Sequence, residues 1–224
     1  MLVSGSTALS EPVRAIGRAS IDHVEHRVRA LCERYARRLP FHGWHHVGFV
    51  RDKAVEFAGL NGSDVSVVET AALVHDVNYL VRRNSEAAAG SGLRMAILAD
   101  AGVPADVADW VDALVDEAEM ANRHRHISLE AQALSDADTL FKALPVTPVV
   151  LAHKYLAENG VSLRELAEKI VGEQRDVHAE GFYFYSPAAA RAYSRWATAN
   201  LELWSCIKES LDDPTVERLL TAVG

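Results

Sequence analysis

Cysteine is nearly absent from this chain: Cys32 and Cys206 are the only two among 224 residues. They stand far apart and outside any Cys-x-x-Cys pattern. That argues against a disulfide framework and a cysteine-rich zinc site and points to a reducing, cytoplasmic compartment. Long hydrophobic runs are missing too. No stretch approaches the roughly 18 consecutive apolar residues of a membrane span. The opening MLVSGSTALSEPVRAIGRAS has no apolar segment of signal-peptide length. A basic surplus is also lacking: 31 acidic residues against 23 Lys and Arg give a formal net charge of -8. Without a broad basic patch, nucleic acid is not an expected partner, and neither is a membrane. A small anion held by local charge in a cleft remains open. Period-2 alternation is absent outside the short run FYFY at 182–185, so strands are not expected. There is no repeat, no low-complexity tract and no long linker.

What is present is helical periodicity over most of a chain that is 49% hydrophobic and 24% charged, enough to bury a sizeable core. Ile21, Val24, Val28, Leu31, Tyr35 and Leu39 recur every three or four residues, predicting a helix over 20–39 with Ser20 as cap and Pro40 beyond its end. A second helix is expected from about Trp44 to Ala58, broken by GLNGSD. A third, capped by Ser63 or Asp64, carries Val67, Val68, Ala71, Ala72 and Val74. It is apolar on most sides and belongs at the centre of a bundle. A fourth is expected after Asn84 or Ser85 and a fifth from Pro104 to about Met120. Further helices are expected over 129–143, 148–158, 162–178 and 187–211. The fold class is all-α. Residues 1–18 are expected to be flexible and 19–224 to form one domain.

Three polar features stand out on that scaffold. In AALVHDVNYL, His75 and Asp76 sit inside the most apolar helix, where an unpaired charge is costly. A divalent cation would take imidazole nitrogen and carboxylate oxygen together; a simple buried His–Asp hydrogen bond is the other reading. In FHGWHHV, His42 and His46 are four apart and share a helical face, whereas His45 lies about 100° round from His46. In LSDADTLFK, Asp136 and Asp138 bracket Ala137 just before Leu140 and Phe141.

Taken in order, His46, His75, Asp76 and Asp138 read H…HD…D, with gaps of 29 and 62 residues. At this point the chain resembles the HD-domain superfamily of metal-dependent phosphohydrolases. FHGWHHV is similar to the family's opening YHxxxHxxxV element, with Phe41 in place of Tyr and Val50 four residues after His46. ALVHDVNY is similar to its hydrophobic HD helix, and DADTL to its closing DADxL element. The resemblance covers about residues 20–145, with 146–224 as a helical extension. It implies a helical bundle in which His46, His75, Asp76 and Asp138 hold a divalent metal ion (Mn, Ni, Zn, Mg, Co or Fe). Asp138 matches the closing position better than Asp136, being the Asp of Ala-Asp-x-Leu. His42 takes the position that donates a proton in the cyclic-nucleotide phosphodiesterase branch; fixing a loop by a hydrogen bond is its alternative role. The stretch HDVNYLVRRNSEAAA also resembles a less-characterised branch with HDxxY. Position 79 is Tyr, which departs from the HDxxE of the 5'-nucleotidase type.

Dinuclear members of the family use two more histidines before the closing Asp. Here only His124 and His126 are available, and residues two apart on a helix point to nearly opposite sides. One metal per chain is therefore expected, with His124 near the phosphate. A metal-bound water would attack phosphorus, with Asp76 or Asp138 taking its proton and His42 protonating the leaving oxygen. Lys142, four residues after Asp138, is the candidate phosphate contact, and Arg82 is placed at the cleft mouth. The expected activity is hydrolysis of a phosphate ester or anhydride of a small, nucleotide-like substrate. An HD-fold diiron oxygenase and a non-catalytic, metal-stabilised binding module are the alternatives, and a homo-oligomer is left open.

Overall fold

The computed structural model describes residues 15–123, 126–181 and 183–223. All regular structure among them is helical: α1 (Arg18–Arg34), α2 (Trp44–Asn61), α3 (Val65–Val74), α4 (Asn78–Val81), α5 (Ser91–Asp100), α6 (Ala105–Glu117), α7 (Leu129–Ala143), α8 (Thr147–Asn159), α9 (Leu163–Ala179), α10 (Pro187–Ser210) and α11 (Pro214–Val223), with 3-10 turns at Ala87–Gly90 and Met120–Asn122. None of these helices is long and apolar enough to cross a membrane.

The third helix lies where its composition places it. Every residue from Val67 to Val74 is buried, with α1, α2, α6 and α7 packed around it. Asp64 starts it, accepting the amides of Ser66 and Val67 at 2.9 and 3.3 Å, which satisfies two of the otherwise orphaned first-turn donors. Glu69 in this helix is charged and buried, and Arg18 meets both its carboxylate oxygens at 2.9 Å, as a buried carboxylate requires.

The first helix is shorter than its periodicity suggests. It ends at Arg34, and the chain turns through Tyr35–Arg38 so that Leu39 and Phe41 enter the core. A residue before proline disfavours helical backbone, and Pro40 makes the early exit favourable. Residues 1–14 of the stretch expected to be flexible lie outside the described residues. Ile16, within that stretch, is buried, and its amide donates to Ser66 Oγ at 2.9 Å.

The later helices close one side of the bundle. α10 packs on both α7 and α9, and Leu166, Ala167, Val171 and Trp204 form a second small apolar cluster there. Tyr183 and Phe184 from the aromatic run join the main core instead.

Candidate metal centre and its cleft

The His-Asp pair does not lie inside α3, as its apolar context suggested, but just beyond it. α3 stops at Val74, His75 takes the cap position, and Asp76 sits in a tight turn leading to α4. Short-range amide bonds build that turn: Tyr79 to the Asp76 carbonyl at 3.1 Å and Leu80 to the Val77 carbonyl at 3.0 Å. The helix end leaves carbonyls without partners, and His75 Nδ1 lies 2.8 Å from one of them, Ala72 O. A carbonyl only accepts, so Nδ1 carries the hydrogen and Nε2 is left as the free lone pair. The Ala87–Gly90 turn packs closely behind. A Cβ on Gly90 would meet the Asn78 backbone at 2.8–2.9 Å, so glycine is required there for the HD turn to stay where it is.

His75 Nε2 meets His46 Nε2, from the first turn of α2, at 3.1 Å. Asp76 Oδ2 lies 2.8 Å from His46 Nε2 and 3.2 Å from His75 Nε2, yet its alignment with neither makes a hydrogen bond. Ligand atoms of His46, His75 and Asp76 all fall within 4.8 Å of one another. Two imidazole nitrogens within hydrogen-bond distance of each other and a carboxylate oxygen beside both fit a divalent cation of the nitrogen- and oxygen-loving kind. His46 Nδ1 is also buried without a partner, a cost rarely carried away from functional sites.

The protonation pattern leans the same way. Burial pushes the His46 imidazole down, towards the neutral form a metal needs. Burial would raise the Asp76 carboxyl, but the imidazoles of His75 and His46 hold it well below the ordinary range. Burial also opposes the charge on His75, and there the adjacent Asp76 wins and lifts its pKa.

Asp138, from α7, stands at the edge of this group. Its Oδ1 is 3.6 Å from His46 Nε2 and its Oδ2 2.7 Å from Lys142 Nζ. Asp136 points elsewhere. It is fully buried, pairs with Arg123, and accepts the amides of Tyr185 and Ser186 at 2.8 and 2.7 Å. Residues two apart on a helix are rotated by about 200°, so α7 offers only one of these carboxylates to the cluster.

His42 precedes α2 rather than lying on it. Its ring stacks on Tyr79, with centroids 3.6 Å apart, and its Nδ1 bonds Glu158 Oε1. The other oxygen of Glu158 accepts the amides of Phe41 and His42 at 2.7 and 3.1 Å. His45 is exposed. The sequence gives no local sign of Glu158, which reaches His42 from 116 residues away on an otherwise ordinary amphipathic helix. Glu158 is 2% exposed. Burial would raise its carboxyl, but the His42 imidazole and the two amides overcome this and hold it below the usual glutamate value. A depressed carboxyl contributes stability above its unfolded pKa, about 4.3, and loses it as pH falls through the folded value. Glu158→Gln is therefore expected to lower thermal stability at pH 7 by about 1–3 kcal/mol, since a donor then faces donors. The gap from wild type should narrow below about pH 4. Thermal melts followed by circular dichroism across that range check it; a gap that stays constant with pH contradicts the assignment.

His75 and Asp76 of the cluster line a cleft of about 310 Å³, together with His42, Asp138 and Lys142. Burial alone would lower the Lys142 ammonium, and Asp138 beside it raises its pKa instead. Arg82 is not brought to this cleft: it is exposed, and Asn84, Ser85 and Glu86 line the wall in its place. α4 is a single turn, and the backbone at Arg82 is already extended (φ -146°, ψ 135°), which carries the side chain off the helix face. His124 lies outside the described residues, and His126 is exposed.

No protein-family model and no curated protein matches this chain. Among solved structures, the crystal structure of Bacillus subtilis YpgQ in complex with ADP is similar, with a TM-score of 0.56 and 20% sequence identity over 88% of this chain and 99% of that one. The likeness is one of fold, and it runs along nearly the whole length of that protein.

Proposed function

We propose that this protein is an HD-type, metal-dependent phosphohydrolase that cleaves a phosphate ester or anhydride of a small, nucleotide-like substrate, with 19–224 folding as one unit. The observation that carries the reading is the meeting of His46 Nε2, His75 Nε2 and an otherwise unsatisfied Asp76 oxygen beside a cleft. A fold neighbour crystallised with ADP lends support to a nucleotide-like ligand.

His46, His75 and Asp76 would hold one divalent ion, with Asp138 completing the set. Bound there, such an ion supplies Lewis acidity and a water of lowered pKa. Such a water would be the nucleophile towards phosphorus, and the leaving oxygen would depart as its bond to phosphorus breaks. Asp138 or Asp76 would take the water's proton. The Nδ1 of His42 is committed to Glu158, so its Nε2 is the atom left to protonate the leaving oxygen. Lys142 carries positive charge beside Asp138 and contacts the phosphoryl oxygens. The diiron reading needs two further histidines. Among the described residues, none but His46 and His75 joins the metal-capable group.

Elemental analysis of protein purified without chelator tests this. About one transition-metal ion per chain is expected, with a fall in Tm on chelation and recovery on adding manganese. Phosphate release from a panel of nucleotides should follow the same loss and recovery. Two irons per chain would overturn the hydrolase reading. Absence of metal, with no rise in Tm from manganese, nickel or zinc, would overturn the metal site itself.

A further inference from the structure

Beyond Lys142 the cleft continues along one face of α9. Leu166, Lys169, Ile170, Glu173 and Gln174 all line it, the i, i+3, i+4, i+7, i+8 stripe of a single helical face. Such a stripe normally goes wholly to packing, yet three of its five residues here are polar. Gln174 is 2% exposed, with its Oε1 3.5 Å from the Tyr183 hydroxyl, and its Nε2 makes no hydrogen bond among the described residues. That nitrogen is not among the buried atoms left without a partner, so it opens on the cleft, where a ligand's acceptor can meet it.

Lys169 supplies the charge. Its Nζ donates to the Tyr155 hydroxyl at 3.2 Å and stands 3.9 Å from Glu173. That leaves ammonium hydrogens uncommitted, and the Tyr155 hydroxyl, already accepting from the lysine, keeps its own hydrogen to donate. This pair adjoins the reacting end: the Tyr155 ring lies 6.0 Å from the His42 ring, centroid to centroid. Lys142 and Glu173 line the same cleft.

We propose that this face of α9 binds a second phosphate of the substrate, the one that is not attacked, through the Lys169 ammonium, the Tyr155 hydroxyl and the Gln174 amide. The inference rests on the hydrolase reading for the identity of the first phosphate. It makes the substrate class a phosphoanhydride, such as a nucleoside diphosphate or longer chain, rather than a monoester. Glu173 repels that phosphate and tempers its binding.

Equilibrium binding of ADP, supplied as its unhydrolysable α,β-methylene analogue, and of AMP by titration calorimetry, with manganese present, tests it on wild type, Lys169→Met, Lys169→Arg and Glu173→Gln. Lys169 is 45% exposed in its side chain, so these variants should keep the fold, which a melt verifies. Lys169→Met should weaken ADP about tenfold or more and leave AMP within about twofold. Lys169→Arg should retain most ADP affinity, and Glu173→Gln should tighten ADP alone. Equal losses for both ligands, no loss for either, or a wild type that does not prefer ADP would overturn the proposal. Selective loss of ADP in a protein that releases no phosphate from any nucleotide would leave this subsite standing and overturn the hydrolase reading instead.

Discussion

Asp76→Ala should reduce phosphate release by about a thousandfold or more, equivalent to about 4 kcal/mol of transition-state stabilisation. The argument is geometric. Asp76 Oδ2 is the oxygen within 3.2 Å of both imidazole Nε2 atoms, so its removal takes away one ligand and the negative charge that offsets a divalent ion. Even partners outside the direct ligand set commonly cost 10–100-fold in affinity when lost, and a ligand itself should cost more. The substitution also has a cost in the metal-free protein: His75 and His46 hold the Asp76 carboxyl well below its ordinary range, and a carboxyl so depressed stabilises the fold at neutral pH, so some Tm should be lost. Three measurements separate the possibilities: phosphate release, metal content, and the rise in Tm on adding manganese. Hydrolysis and the metal-induced rise should vanish together, while the metal-free protein still melts cooperatively. Wild-type hydrolysis in Asp76→Ala would mean that the chemistry takes place elsewhere.

Much of this architecture is legible in the sequence because it follows from local pattern. The apolar run of α3 reads as a central helix and is one, and Asp64 is among the two caps its position allowed. Helical spacing also separates the histidines of FHGWHHV, with His46 buried and His45 exposed. What the pattern conceals is where helices stop. An apolar context carries the expected third helix straight through His75 and Asp76, yet the chain leaves the helix at Val74, and the exit lets both side chains turn towards α2. The same limit misplaces Arg82. Glu158, Lys169 and Gln174 are hidden for a different reason. Each sits on a helix whose spacing is satisfied by ordinary amphipathicity; only tertiary packing brings Glu158 to the backbone of Phe41 and His42 and Lys169 and Gln174 to the cleft wall. Periodicity identifies the face of a helix that is buried; it does not identify the partner.

The two aspartates of DAD should part company most clearly in stability. Asp136→Ala is expected to cost about 3–5 kcal/mol, the usual range for stripping one partner from a buried ion pair. At roughly 2–4 °C per kcal/mol for a chain of this size, Tm should fall on the order of 10 °C. Both side chains of the Asp136–Arg123 pair are fully inaccessible, and the alanine leaves a buried guanidinium with no carboxylate. It also orphans the amides of Tyr185 and Ser186, at the start of α10, where Ser186 is the cap. The pair is not itself a large source of stability. Burial lifts the Asp136 carboxyl above its ordinary pKa against the pull of Arg123 and the two amides, so desolvation outweighs pairing. Removing both charges in Asp136→Leu/Arg123→Met should therefore recover part of the loss, and only part, because neither amide regains the carboxylate it donated to. Asp138→Ala should behave in the opposite way, with a small change in metal-free Tm and a large loss of metal-induced stabilisation. Chemical and thermal denaturation of the four proteins, with and without manganese, decides it. If Asp136→Ala melts like wild type and loses its response to metal, the roles of the two carboxylates are reversed.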